Sequence, residues 1–156
     1  MAEDIKIIYD NDKAVGDFNF LNGDLERENG LETAVLISLY TDARASEDDN
    51  VDDPNDLRGW AGDLLPSNDD NIGSKLWLLD RSKATQENAN KAKQYVQQAL
   101  NWMIEDGVAS KIEVETSIVG YEETKKLVLN ILIYKDYDKI LGIKFNDLWT
   151  AQYELN

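Results

Sequence analysis

From Lys111 to Tyr134 the chain alternates. Ile112, Val114, Thr116 and Ile118 are separated by Lys111, Glu113, Glu115 and Ser117, and Leu127, Leu129, Ile131 and Ile133 then repeat the pattern against Lys126, Val128, Asn130, Leu132 and Tyr134. A two-residue period places each set on one face of a strand, so the runs predict two antiparallel strands with one wet face, joined by a hairpin turn at Gly120 to Glu123. A third strand falls within Ile140 to Phe145, and Trp149, Ala151, Tyr153 and Leu155 alternate with Thr150, Gln152 and Glu154 beyond it. Upstream the spacing changes to three and four: Ala89, Ala92, Val96, Ala99, Leu100, Met103 and Ile104 form the stripe of a helix that Thr85 caps and Gly107 ends.

The first third is less regular. Ile5 to Tyr9 reads as a short strand and Phe18 to Leu21 as another, separated by the turn-forming Asp10-Asn11-Asp12, with further turns at Asn22-Gly23 and Asn29-Gly30. From Glu32 to about Ala43, Leu31, Val35 and Leu39 share a face with Leu36 and Tyr40 beside them, which favours a helix; Val35 to Tyr40 also fits a buried strand. Gly73-Ser74 opens a short helix through Leu79, with Ser74 as its cap, before the polar break Arg81-Ser82-Lys83.

Length and charge narrow the function classes. At 156 residues one core is expected, with no internal repeat or linker, so residues 1–156 read as a single domain. The formal net charge of -15 repels polyphosphate, which argues against nucleic acid as a partner. Neither a signal peptide nor a run of about 18 apolar residues is present, so the chain is expected to stay in the cytoplasm where it is made, with no membrane partner. Cysteine and histidine are absent, which removes disulfides, zinc sites built on those residues and histidine-based triads, leaving carboxylates or activated Ser, Lys or Tyr for any catalysis.

Candidate chemistry is correspondingly thin. Residues 46–56 hold six acids and no base, the composition of a solvated loop. Asp48, Asn50 and Asp52 match the first, third and fifth positions of a calcium loop, but Asp53 and Gly59 stand where the turn glycine and bidentate glutamate belong. A pair of carboxylates drawn from Asp63, Asp80, Glu105 and Asp106 would suit a small cell-wall glycan hydrolase, although 31 acids make close pairs expected by chance. A third class, an acidic DNA mimic, is permitted by the charge and supported by no helical charge pattern. Trp60, Trp77 and Trp102 could form a sugar platform, but burial in a core or interface is the simpler reading. Trp102 lies off its helix's best stripe and is expected to cover the Arg58 to Asp63 loop or a partner surface. Arg58 and Arg81 are expected to pair with neighbouring acids, one of them compensating Glu105-Asp106 at the unfavourable end of the helix dipole.

Several blocks together carry a resemblance. Arg58-Gly59-Trp60-Ala61-Gly62-Asp63 and the run from Gly73 to Arg81 are joined by Gly23-Asp24-Leu25, Leu31 to Val35 and Ala99 to Val108, and over most of its length the chain resembles the Mu-like phage tail baseplate protein family, related to the sheath-initiator wedge proteins of contractile tails. The resemblance implies an α+β fold: a C-terminal antiparallel sheet packed against a long central helix and one or two shorter ones. It implies an assembly role without catalysis, cofactor or metal. The expected partners are other baseplate wedge proteins, including a large J-like wedge protein, and the tail sheath protein, with the virion baseplate as the location. The candidate interface or loop-shaping residues are Arg58, Gly59, Trp60, Gly62, Asp63, Trp77, Arg81, Trp102, Trp149 and Tyr153. At the helix end Glu105-Asp106-Gly107 replaces the Glu-Pro-Arg element of the wider family.

A sheet of three antiparallel strands leaves an edge with unpaired backbone groups, where another chain can add a strand. The segment from Lys139 to Leu155 is expected to form or cover that edge, with the extended arm of the sheath protein as the added strand.

Overall fold

The computed structural model describes residues 4–13, 15–28, 30–64, 72–80, 82–121 and 124–146. Arg81, Trp149 and Tyr153, the alternating run from Trp149 to Leu155, and Asn29, Glu122 and Glu123 in the expected turns lie outside them.

Between Asp4 and Glu28 the chain makes six short strands: β1 (Asp4–Ile5), β2 (Ile7–Asp10), β3 (Val15–Phe18), β4 (Phe20–Leu21), β5 (Asp24–Leu25) and β6 (Arg27–Glu28). They pair antiparallel as β1 with β6, β2 with β3 and β4 with β5. The two strands expected here are therefore broken, and the break has a cause. At Lys6, Asn19 and Glu26 the three pairs meet: the Lys6 N–H donates to the Glu26 carbonyl at 2.8 Å, and the Glu26 N–H to the Asn19 carbonyl at 2.8 Å. The Glu26 carboxylate also accepts from the Lys6 ammonium at 3.2 Å and from the Asn19 side-chain amide. Asn22 and Gly23, both at positive φ (54° and 86°), close the β4–β5 hairpin, as an Asn-Gly turn should.

Helix α1 (Leu31–Tyr40) follows Gly30, which takes a left-handed conformation at the helix start. The helical reading holds over the strand alternative, and α1 ends at Tyr40, short of Ala43. Thr41 turns extended because its carbonyl accepts from the Ser74 N–H at 2.9 Å, while the Ala43 N–H donates to the Ser74 carbonyl at 2.9 Å. Within α1 the Thr33 hydroxyl accepts from the Ile7 N–H at 3.0 Å and donates to the Ile5 carbonyl at 3.2 Å, tying the ribbon to the helix.

Thr85 caps α2 (Gln86–Leu100) by accepting from the Asn88 N–H at 3.3 Å. The expected single helix bends at Asn101 and continues as α3 (Trp102–Glu105), with the Asn101 side chain donating to Glu105 at 2.6 Å. Gly107 ends it at φ 70°. The C-terminal sheet then runs β7 (Lys111–Val119), β8 (Lys126–Lys135) and β9 (Asp138–Phe145), in that spatial order and all antiparallel. The register sets Ile112, Val114, Thr116 and Ile118 opposite Ile133, Ile131, Leu129 and Leu127, so the sequence alternation is the buried face.

That face packs under α1, α2 and α3. Val35, Leu36, Leu39, Val96, Leu100, Met103, Val114, Leu129, Ile131, Ile133 and Phe145 form the centre of the core, and Leu79, Ala89, Ala92 and Leu127 form a smaller cluster beside it. Burying each large side chain stabilises the fold by roughly 1.5–3 kcal/mol. The architecture is α+β, as expected. No helix among the described residues is long and apolar enough to cross a membrane.

Candidate functional site

Two features of the surface are built rather than incidental: the glycine and tryptophan corner, and the edge of the C-terminal sheet.

The corner is organised around Arg58. Its backbone is left-handed (φ 46°), and Gly59 follows at φ 104°, so the chain reverses within two residues. A β-carbon at Gly59 would meet the Arg44 β-carbon at 2.8 Å, which excludes larger residues for a second reason. The reversal aims the Arg58 guanidinium at three carboxylates: Asp42 at 3.0 Å, Asp56 at 3.6 Å and Asp80 at 3.6 Å. Its carbon lies 4.5 Å from the centre of the Trp77 ring, a cation–π contact, and the Trp77 indole N–H donates to the Ala43 carbonyl at 2.7 Å. Burial works against the charge of Arg58, but the surrounding carboxylates outweigh it and hold its pKa above the ordinary value. One cation thus fastens the segment after α1, the acidic loop and the segment after Trp77.

Trp60 behaves differently. Its ring lies across Gly62, where a β-carbon would collide with the indole, so the glycine is the seat of the tryptophan. Residues Ala61–Leu64 form a 3-10 turn, and the Asp63 N–H closes it on the Trp60 carbonyl at 3.1 Å. Gly62 is buried while Trp60 remains 48% exposed beside an exposed Leu64. One Asp63 carboxyl oxygen is buried with no hydrogen-bond partner among the described residues.

The acidic loop is anchored at Asp49. Its carboxylate accepts from the Ser46 N–H and hydroxyl, both at 2.7 Å, and from the Lys75 ammonium at 2.5 Å. Burial pushes the Asp49 carboxyl up, but Lys75 and Ser46 together hold it below the usual range. Residues 46–56 otherwise form turns and exposed coil.

Several expectations need correction. Trp102, expected to cover the Arg58 to Asp63 loop or a partner surface, packs partly buried against the core, and its indole N–H donates to the Ser38 hydroxyl of α1 at 3.1 Å. Among the described residues the cation at the end of α3 is Lys135, whose ammonium reaches the Gly107 carbonyl at 2.6 Å, and not Arg58, which its own three acids occupy. Ser74 precedes the N-terminal position of the 3-10 helix Leu76–Leu79, which is Lys75. The Ser74 hydroxyl accepts from the Leu76 N–H at 3.3 Å but is spent mainly on the Leu39 carbonyl at 2.6 Å. The four acids considered for glycan hydrolysis are divided: Asp80 is tied to Arg58 and Asp63 lies in the corner's 3-10 turn, whereas Glu105 and Asp106 are exposed at the end of α3.

Sequence reading missed Asn11. It sits in the β2–β3 turn, yet its side chain bonds the far end of the chain: Nδ2 donates to the Lys144 carbonyl at 3.1 Å and Oδ1 accepts from the Asn146 N–H at 2.8 Å. The turn signal Asp10-Asn11-Asp12 places the residue in a loop and gives no sign of this contact. Because Lys144 and Asn146 direct these groups away from β8, the alternation of an antiparallel strand directs those of Gly142 outward too. Among the described residues, the Gly142 N–H and carbonyl have no backbone partner on that outer side. Among the described residues β9 is therefore an open edge, and the expected edge segment begins as the strand Asp138–Phe145.

Comparison with known proteins coincides with this frame. The profile of a family described as phage protein GP46 matches residues 31–139, from the first residue of α1 into the start of β9. Baseplate protein gp46 of Escherichia phage Mu is 41% identical over 112 residues, covering 71% of this chain and 74% of its own length. Mu-like prophage FluMu protein gp46 of Haemophilus influenzae is 37% identical over 107 residues, covering 68% and 69%. With most of the chain matched by the profile and by both relatives, this protein belongs to the GP46 family of Mu-like phage baseplate proteins.

Proposed function

We propose that the protein is a structural, non-enzymatic component of the tail baseplate of a Mu-like phage, made in the host cytoplasm and resident in the virion. Its relation to the baseplate protein of phage Mu supports the general role, and its partners are other baseplate components. The finer reading is that it joins wedge proteins, a large J-like wedge protein among them, and gives the first sheath subunits a strand to pair with.

The observation that carries this reading is the open outer side of β9. An extended segment laid against an edge gains main-chain hydrogen bonds without any rearrangement of the core. Trp60 offers a second contact: a large indole on a rigid glycine seat, half exposed, beside a loop whose Glu47, Asp48, Asp52 and Asp53 have no ion pair among the described residues. Aromatic anchors held in one conformation are the side chains that dominate interfaces. Arg58, Gly59, Gly62 and Trp77 serve the same interface from behind, by fixing the shape that presents Trp60.

Gly142→Pro tests the edge. Proline at this position removes an outward N–H and leaves the ladder to β8 intact, which a strand tolerates only at an open edge. The variant is expected to stay folded by circular dichroism and to lose sheath attachment in reconstituted baseplates by at least tenfold. Full-length sheaths on baseplates carrying the proline would refute strand pairing here.

A further inference from the structure

Asn11 occupies the β9 edge in a particular way. A neighbouring strand that runs parallel to an edge gives, from one residue, an N–H to the carbonyl of residue i and a carbonyl to the N–H of residue i+2. The Asn11 carboxamide supplies the same two groups to Lys144 and Asn146. It therefore stands where one residue of an added strand would stand.

The position is held from both sides. Asp10 Oδ1 accepts from the N–H groups of Asp12 at 2.9 Å and Lys13 at 3.2 Å, which fixes the turn that carries Asn11. Immediately before it, Tyr9 packs edge-on against Phe145 with ring centres 4.7 Å apart and stacks on Tyr40 at 5.6 Å. The ribbon is thus locked against the end of β9.

We infer that Asn11 is a register stop, a side chain that confines strand addition to Asp138–Ile143 and reserves that stretch for an extended segment of another polypeptide. Any strand added beyond Ile143 would need the Lys144 carbonyl and the Asn146 N–H, both already taken by Asn11. Gly142 lies near the end of the open stretch, one residue before Ile143, and a β-carbon there would come within 3.3 Å of the Leu132 side chain, so Leu132 leans over the glycine. Ile140 is exposed nearby. The incoming segment accordingly carries an apolar side chain on this outer face, where Leu132 and Ile140 receive it. The inference rests on the edge reading proposed above.

Its test does not depend on the sheath protein. Sedimentation equilibrium of the full chain in high salt, where screening shortens self-repulsion to roughly 3 Å at 1 M, compares the wild type with Asn11→Ala. Freed to its full length, the edge is expected to pair with a second copy at least tenfold more tightly, and adding Gly142→Pro should reverse the gain. Asn11→Asp, which keeps the acceptor and drops the donor, is expected to fall between them. Near-ultraviolet circular dichroism from Tyr9 and Tyr40 checks that the ribbon stays seated. Equal self-association of wild type and Asn11→Ala with the ribbon in place overturns the register stop. It would leave the edge reading to its own test, because sheath attachment by Gly142→Pro baseplates is measured separately.

Discussion

The ribbon of β1–β6 and the sheet of β7–β9 are both made of antiparallel hairpins, yet they treat apolar side chains in opposite ways. In β8 every second residue from Leu127 to Ile133 is fully buried, because β8 has a neighbour on each side and helices across one face. In the ribbon, Val15, Phe18, Phe20 and Leu21 remain 47–67% exposed. Among the described residues each ribbon strand pairs with one other, and of the ribbon's side chains Ile7 and Tyr9 reach the core. Strand pairing alone therefore buries little; a second layer is what turns alternation into a core. The family profile begins at residue 31, where the ribbon ends and α1 starts, and runs to residue 139, so it takes in α1 to β8 and leaves out the ribbon and most of β9.

The comparison breaks most severely at Phe145, the residue where the two regions touch. It is fully buried, packs with Tyr9 and Tyr40, and closes the core below α1. Phe145→Ala is expected to cost about 3–5 kcal/mol in chemical denaturation, through lost burial and the cavity left behind. A cost below about 1 kcal/mol would mean that the sheet closes without it, against the usual range for such substitutions.

How far the sequence reveals each region follows from the same contrast. The two-residue period of Ile112 to Ile118 and Leu127 to Ile133 is a local record of one-sided burial, and Thr85 and Gly107 are local signals for helix ends, so these elements are readable from neighbours in the chain. Helix α1 is harder to read: Thr33, Val35, Leu36, Ser38 and Leu39 are all buried, and burial on several sides blurs the amphipathic stripe. Contacts across long separations leave no local trace. Ser74 against Thr41, Trp102 against Ser38, Lys135 against Gly107 and Asn11 against Lys144 each depend on how elements pack, which residue type and spacing do not encode. The corner falls between these cases. Its glycines and tryptophans mark a shaped loop in the sequence, but only the geometry separates Arg58, which faces inward to three acids and Trp77, from Trp60, which faces outward.

A smaller effect sharpens the comparison inside the body. Gly62→Ala places a methyl group inside the Trp60 ring, and the indole must lift from its seat. Overpacking of this kind costs roughly 1–3 kcal/mol. Trp60→Ala alone is expected to cost less, because the ring is half exposed, and the double variant should recover most of the Gly62→Ala penalty. Thermal unfolding of the four proteins gives the coupling. Additive penalties would show that the glycine serves the backbone and not the tryptophan.

The smallest effect is expected in the ribbon. Phe20 lies opposite Leu25 in the β4–β5 hairpin, 67% exposed, with no partner in the core among the described residues. Replacing it with serine removes little buried area and leaves the Asn22-Gly23 turn that sets the hairpin register, so Phe20→Ser should change the unfolding free energy by less than about 0.5 kcal/mol. Urea denaturation followed by tryptophan fluorescence checks this, since Trp60, Trp77 and Trp102 all report on the body. A loss comparable with that of Phe145→Ala would show that the exposed aromatics are part of the cooperative unit, and the contrast between ribbon and sheet would fail. A negligible loss leaves Phe20 as apolar surface that folding does not use, at the end of the molecule where the core's second layer stops.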